Sequence, residues 1–273
     1  MSGIFTITNF NAFTGRYSRS RRKESTEEKT GWNVYDGLHE RFPVLALRNR
    51  EAEDKWPLSW TGGRNTRIAV NVTLQSLKTW QAFRPSASGK ILDGLSKAVP
   101  KVVVSFQKRL AGSQIRCLRE VLKHDDSTYN EVMLSAAKAV GYLSSFKNNH
   151  LPMLGSKVLH FMLPEFFPIW DTLWVKNRAL VNEDMSTEGL EGWLPEQVHA
   201  AIEKYEYRQA ALLYASYLAL MLRDLNETPA AEYRKIENAY ITHSEIEKAV
   251  IKWHFYDIAP ILFELCLLGK HVA

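Results

Sequence analysis

Apolar residues recur at helical spacing over most of this chain, and that periodicity limits its fold more than any other feature. From about Asn71 onward the spacing predicts amphipathic helices. Their apolar faces are formed by Val72, Leu74, Leu77, Trp80 and Phe83, by Val102, Phe106 and Leu110, and by Val132, Ala136, Val140 and Leu143. Pro195 and a Thr242-His-Ser-Glu245 capping box predict further helix starts. Strand signals are few and short, so we predict an all-α fold.

The first seventy residues lack this periodicity, and the chain is therefore expected to have three parts. Residues 1–70 are predicted to form an irregular region that packs on the core. It includes a β-like alternation at Ile4–Ile7, a basic loop at 16–23 and a turn at Trp60–Arg64. Residues 71–174 and 175–273 are predicted to form two helical subdomains.

Composition excludes several classes of protein. Among 273 residues, 45% are apolar and 24% are charged, which is typical of a globular chain rather than a disordered one. The longest nearly uncharged apolar run, Ala210–Met221, is too short to span a bilayer, and no signal peptide is visible. The two cysteines, Cys117 and Cys266, have no partner spacing, which excludes a disulfide framework and a Cys-based zinc site. We expect a cytoplasmic or nucleoid-associated protein without a membrane partner.

Charge is distributed unevenly along the sequence. Residues 76–123 contain ten Lys or Arg against Asp93 and Glu120, whereas residues 180–273 contain fifteen Asp or Glu against eight Lys or Arg. A concentration of positive charge of this kind is the usual electrostatic footprint of a protein that binds a polyanion. A solvated helical surface without a ligand is the alternative explanation.

The stretch from His150 to Trp174 differs from the rest of the chain. A helix over 131–146 is predicted to break at Asn148 and Asn149, and a tight turn then leads into a second helix near Ser156. The backbone N–H groups at the start of such a helix can bind a phosphate. The predicted phosphate contacts are His150, Leu151, Met153, Leu154, Gly155 and Ser156.

Lys157 and Asp171 are the candidate catalytic residues. Lys157 is placed in the first turn of the second helix, where the helix dipole and partial burial are expected to lower its pKa and leave a neutral, nucleophilic amine. Asp171 is predicted to cap the next helix, and the return of the chain would bring it near Lys157. His160 is predicted to be packed in the core.

This stretch resembles the helix-hairpin-helix DNA glycosylases, the superfamily of endonuclease III and 8-oxoguanine glycosylase. Their pattern is Leu-Pro-Gly-hydrophobic-Gly-x-Lys, a helix, and then hydrophobic-Pro-hydrophobic-Asp before the next helix. The matching residues are Leu151-Pro152-Met153-Leu154-Gly155-Ser156-Lys157-Val158 and Pro168-Ile169-Trp170-Asp171-Thr172, within a stretch of about 25 residues. Met153 replaces a family glycine, Leu173 replaces a common histidine, and the Lys-to-Asp interval is shorter than usual.

The resemblance implies a helix-hairpin-helix over about 131–166 and an enzyme that hydrolyses the N-glycosidic bond of a damaged or modified base. Lys157 corresponds to the Schiff-base lysine of members with lyase activity, and Asp171 to the essential aspartate. Trp170, beside Asp171, is the candidate for stacking on an extruded base. The implied partner is double-stranded DNA with one flipped nucleotide, with no obligate protein partner. No cofactor or metal is implied. A monovalent cation on the hairpin carbonyls is compatible, and an iron–sulfur cluster is not, because the cysteine quartet is lacking.

Several alternatives stay open on the sequence alone. The enzyme could rely on Asp171 and water, with Lys157 only as an electrostatic helper, and the substrate could be an oxidised purine in repair or a hypermodified base in phage defence. The hairpin could also belong to a non-catalytic DNA-binding protein. A catalytic Lys157–Asp171 pair is expected to open into one cleft, whereas a structural pair is expected to be buried or to point apart.

Overall fold

The computed structural model describes residues 3–14, 44, 47, 48, 60–79, 88–147, 150–170, 190, 192–242 and 257–272. It is 76% helix, and no strand occurs among the residues it describes. This confirms the predicted all-α fold. Trp80, Phe83, Asp171 and Leu173 lie outside the described residues, as do His243, Ser244 and Glu245 of the predicted capping box.

The described helices follow the predicted apolar periodicity, with several boundaries displaced. They are α1 (Arg64–Thr79), α2 (Ser88–Gly112), α3 (Asp126–Ser145), α4 (Met153–Met162), α5 (Glu196–Ile202), α6 (Arg208–Glu227), α7 (Ala230–Ile241) and α8 (Ala259–Val272). A 3-10 helix, Leu118–Lys123, precedes α3. Helix α1 begins seven residues before Asn71, directly after the predicted turn, in which Gly62 has a φ of 81°. The Asp125 side chain caps α3 by accepting from the Thr128 N–H at 2.8 Å.

Helix α3 lies at the centre of the fold. It packs most extensively against α6 and then against α4, and α2 and α5 also contact it. Gly141 permits the close approach of α6, because a Cβ there would lie 2.7 Å from the Tyr207 ring and 2.9 Å from the Ala211 Cβ. The predicted apolar face of α3, formed by Val132, Ala136, Val140 and Leu143, is buried.

The predicted strand-like alternation at Ile4–Ile7 is wrong. Residues 7–14 are helical, and Ile4 and Phe5 are both buried in the core. The Asp224 carboxylate accepts from the N–H groups of Ile4, at 2.8 and 2.9 Å, and of Phe5, at 2.7 Å. A side chain more than two hundred residues away therefore decides the local conformation.

One continuous hydrophobic core runs from Ile4 to Leu267 through the described residues. The packing of α3 on α6 crosses the predicted division between residues 174 and 175, so these two helices share one core. Cys117 and Cys266 are free thiols buried within it. None of the described helices is both long enough and apolar enough to span a membrane.

Asp224 is expected to make stability depend on pH in the opposite sense to an ion-paired carboxylate. Burial raises the pKa of Asp224, although the bonds from Ile4 and Phe5 favour its ionised form. A raised pKa in the folded state means that the folded protein takes up this proton before the unfolded chain does. The Asp224 contribution therefore becomes more stabilising as pH falls through the folded pKa towards the unfolded value.

We expect the free energy of unfolding of the native protein, relative to Asp224→Asn, to increase as the pH is lowered from about 7 to about 4. Urea denaturation of both proteins at each pH measures this difference. A difference that stays constant or shrinks on acidification would contradict the expected direction.

Candidate functional site

The hairpin between α3 and α4 is closed by direct backbone contact. Gly155 donates its N–H to the Ser144 Oγ at 3.0 Å, and a Cβ on Gly155 would overlap the Val140 carbonyl oxygen. Only glycine permits this approach of α4 to α3. The predicted pair of helices joined by a turn is therefore present, but α4 begins at Met153, with Pro152 as its N-cap, rather than near Ser156.

The predicted phosphate contacts fall into two groups. His150 is exposed, and Leu151 and Met153 are partly exposed, so these three residues present the turn to solvent. Leu154, Gly155 and Ser156 are buried. The Gly155 N–H already bonds to Ser144, and the Ser156 N–H bonds to the Pro152 carbonyl at 3.0 Å. Those two amides face the protein rather than solvent.

Lys157 lies in the second turn of α4, because the helix starts at Met153. The field of a helix terminus falls off within the first turn, so Lys157 lies one turn beyond the position that the sequence predicted. Its side chain is 2% exposed, and every residue from Leu154 to Met162 is buried. Helix α4 is therefore a core helix, and Lys157 is one of its buried residues.

Residues 163–170, the returning segment, follow α4 and run back along it. Side chains from other helices hold the backbone of this segment. Tyr214 and Tyr217 donate their hydroxyl groups to the carbonyl oxygens of Pro168, at 2.9 Å, and Ile169, at 3.0 Å. The Ile169 N–H donates to Glu264 at 2.6 Å. Helices α6 and α8 thus fix the conformation of the residues that lead to Asp171.

One hydrogen bond fixes the position of the returning segment relative to α4. The Trp170 N–H donates to the Ser156 Oγ at 3.1 Å, and the Ser156 hydroxyl donates to the Met153 carbonyl at 3.2 Å. Lys157 and Asp171 each follow one member of the Ser156–Trp170 pair. Asp171 itself lies outside the described residues.

Trp170 belongs to the core in this arrangement. It is 3% exposed and makes an edge contact with Tyr217, with ring centroids 5.3 Å apart. The face of this indole is therefore not open to an extruded base, and the structure does not place it as the stacking surface proposed from the sequence.

His160 is packed in the core, as predicted. Its Nδ1 donates to the Phe167 carbonyl oxygen and lies 3.2 Å from the Glu264 Oε1. The same Glu264 oxygen accepts from Ile169, so one carboxylate connects α8 with both α4 and the returning segment. Sequence reasoning missed Glu264, because nothing in its local pattern indicates a contact 95 residues earlier in the chain.

A buried ion pair anchors the start of the returning segment. Arg48 and Glu165 form a bidentate interaction with N–O distances of 2.8 and 2.6 Å, and their side chains are 4% and 0% exposed. The Glu165 carbonyl oxygen also accepts from the Leu118 N–H at 3.0 Å. The N-terminal region therefore contributes directly to the framework around Lys157.

No group of three His, Cys, Asp or Glu side chains suited to a metal ion occurs in the part of the chain that the structure describes. Backbone carbonyl oxygens of the hairpin are the groups that the family resemblance would assign to a monovalent cation. No protein-family model, no curated protein and no solved structure matches this chain. The resemblance to helix-hairpin-helix glycosylases thus depends on the hairpin residues themselves.

Proposed function

We propose that this protein is a DNA glycosylase of the helix-hairpin-helix class that uses Lys157 and Asp171. The bond between the Trp170 N–H and the Ser156 Oγ carries this proposal. It aligns the two segments so that the lysine and the aspartate of the family pattern follow directly from the bonded pair. The closely packed hairpin and the excess of basic residues over 76–123 give further support.

The proposed reaction begins with a nucleotide rotated out of the duplex, while the exposed turn at His150 and Met153 contacts the DNA backbone. The C1′–N bond to the base breaks and the base leaves with the bonding electrons. Asp171 stabilises the positive charge that develops at C1′, as carboxylates do in glycoside hydrolysis. The Lys157 amine attacks C1′, its nitrogen passes a proton to O4′, and the C1′–O4′ bond breaks, which opens the sugar ring and leaves a protonated imine between the lysine and C1′.

Loss of a C2′ proton then expels the 3′ phosphate by β-elimination, and water hydrolyses the imine to regenerate the lysine. Because Lys157 is buried, its amine must move outward to reach the sugar. The substrate is a damaged or modified base, with oxidised purines and hypermodified phage bases as the two candidates, in repair or in phage defence respectively.

A second candidate function is DNA binding without catalysis. The burial of Lys157 favours it, because a lysine that serves only the fold is expected to be enclosed rather than to face a cleft. In this proposal the exposed turn contacts phosphates, and Lys157 and Asp171 only stabilise the hairpin.

Borohydride trapping distinguishes the glycosylase from the non-catalytic DNA-binding protein. The native protein, Lys157→Met and Lys235→Met are each incubated with duplexes that contain an oxidised purine and with hypermodified phage DNA. Methionine retains most of the lysine volume without an amine, and Lys235 is an exposed lysine on α7 that serves as the matched control. We expect a covalent adduct with the native protein and Lys235→Met but none with Lys157→Met, whose fold is checked by circular dichroism.

The other outcomes identify the alternatives. Release of free base without an adduct would show a monofunctional enzyme that depends on Asp171, and Asp171→Asn would then abolish release. DNA binding with neither base release nor adduct across both substrates would favour the non-catalytic candidate.

A further inference from the structure

We infer that helix α2 carries a binding track for single-stranded nucleic acid, formed by two adjoining grooves along it. The grooves share Lys101 and Ser105, so they form one continuous surface across the helix. None of the hairpin residues 150–157 lines either groove among the residues described. This inference does not rest on the proposed glycosylase activity.

The first groove lies between α2 and the start of α1 and has a volume of about 710 Å³. Four cationic side chains line it, and no carboxylate does so among the described residues: Arg67, Lys97, Lys101 and Lys108. The hydroxyl groups of Ser96 and Ser105 lie beside them. Cations with neighbouring hydroxyl donors are the groups that contact nucleic-acid phosphates.

The lysines of α2 follow a single helical face. Lys97, Lys101, Ser105 and Lys108 are spaced by three or four residues, so they extend over about 16 Å along the helix. Lys97 bonds to the exposed Asp93 at 2.7 Å. Arg67, Lys101 and Lys108 make no ion pair with a described carboxylate. These three cations can therefore neutralise phosphates without breaking an existing pair.

The second groove adds aromatic surface to this charge. It has a volume of about 320 Å³, and its lining includes Arg109, Lys138, Tyr142 and Tyr207. Tyr142 is 40% exposed, and its ring centroid lies 6.1 Å from that of Tyr207. Glu131 is the carboxylate in this groove, and it pairs with Arg109 at 3.3 Å.

Tyr207 in the second groove is packed against a neighbouring tyrosine. Tyr207 stacks on Tyr205 with ring centroids 5.3 Å apart and an interplanar angle of 14°. The Lys138 ammonium group lies 4.7 Å from the centroid of the Tyr205 ring. The packing fixes Tyr207 and leaves the exposed Tyr142 as the surface on which a base can stack.

This combination favours single-stranded nucleic acid over other polyanions. A basic groove that follows the backbone, together with exposed aromatic rings, is how proteins bind single strands. The bases of a duplex are already stacked on each other and cannot reach Tyr142. An acidic peptide or a polyphosphate would use the lysines but gain nothing from the tyrosine.

Fluorescence anisotropy with a labelled thymidine oligonucleotide of about 20 nucleotides tests the track. We expect Lys101→Ala/Lys108→Ala to lower affinity at least tenfold and to reduce the slope of log K against log salt by about 1.4, or about 0.7 for each lost phosphate contact. The charge-matched control on α7, Arg234→Ala/Lys235→Ala, is expected to change neither quantity.

Tyr142→Leu tests the aromatic part, because leucine retains apolar packing against Phe146 and Tyr207 but cannot stack on a base. We expect about tenfold weaker oligonucleotide binding, equivalent to 1.4 kcal/mol, with an unchanged salt slope. Polyphosphate binding is expected to be unaffected. The inference would be overturned if the protein bound the single strand, a duplex of the same length and polyphosphate equally well, and if Tyr142→Leu changed none of these affinities. Absence of oligonucleotide binding would overturn it as well. Lys157→Met is expected to bind the oligonucleotide normally, so a failure of the glycosylase proposal is distinguishable.

Discussion

Replacement of Arg48 by methionine is expected to lower the free energy of unfolding by about 3–5 kcal/mol. The substitution leaves the Glu165 carboxylate, which is 0% exposed, in the core without the guanidinium that binds it through two N–O contacts. Removing one partner of a buried pair costs far more than the pair contributes, since the remaining charge is desolvated and uncompensated. Urea denaturation with a common m value measures the loss.

Two further variants identify the cause of this loss. Arg48→Met/Glu165→Met removes both charges and is expected to recover most of the stability, because apolar residues of similar volume often replace a buried ion pair without loss. Lys97→Met breaks the ion pair with Asp93, in which the two side chains are 72% and 65% exposed. We expect this variant to lower the free energy of unfolding by less than about 0.5 kcal/mol. If Arg48→Met costs no more than Lys97→Met, the buried pair does not form in solution.

Gly155→Ala is expected to destabilise the protein by about 3 kcal/mol, because the added Cβ overlaps the Val140 carbonyl oxygen. Helix α4 must move away from α3 to accept it, which also lengthens the bond between the Gly155 N–H and the Ser144 Oγ. The midpoint of urea denaturation reports this change.

The matched control is Gly89→Ala, in which the same substitution is made in α2 where no atom lies within 4 Å of the new Cβ. It is expected to be neutral or slightly stabilising, since alanine is the better helix former. Equal effects of the two substitutions would show that α3 and α4 are not in the close contact described.

Local sequence signals predicted the helices but not what fixes the segment before Asp171. The spacing of Val132, Ala136, Val140 and Leu143 is sufficient to identify α3, because each helix needs one buried face. The sequence also predicts the turn near Gly155, although α4 begins at Met153, earlier than predicted. At Ile4, by contrast, the bond to Asp224 outweighs the local pattern.

The environment of the candidate site depends on contacts between distant parts of the chain, which leave no periodic signal. Lys157 was identified by its motif, but its burial follows from packing on every side of α4, which periodicity does not reveal. Glu264 and Arg48 have no motif of their own. Their roles follow only from where the folded chain brings them.

The contact between Ile169 and Glu264 also has a consequence for biosynthesis. Synthesis runs from the N-terminal end, so the residues of the hairpin are made before those of α8. Until Glu264 has been synthesised, the Ile169 N–H lacks its carboxylate acceptor, and the His160 ring lacks the carboxylate that lies beside it in the folded protein. We therefore expect a nascent chain that ends before α8 to lack the fixed path of the residues leading to Asp171.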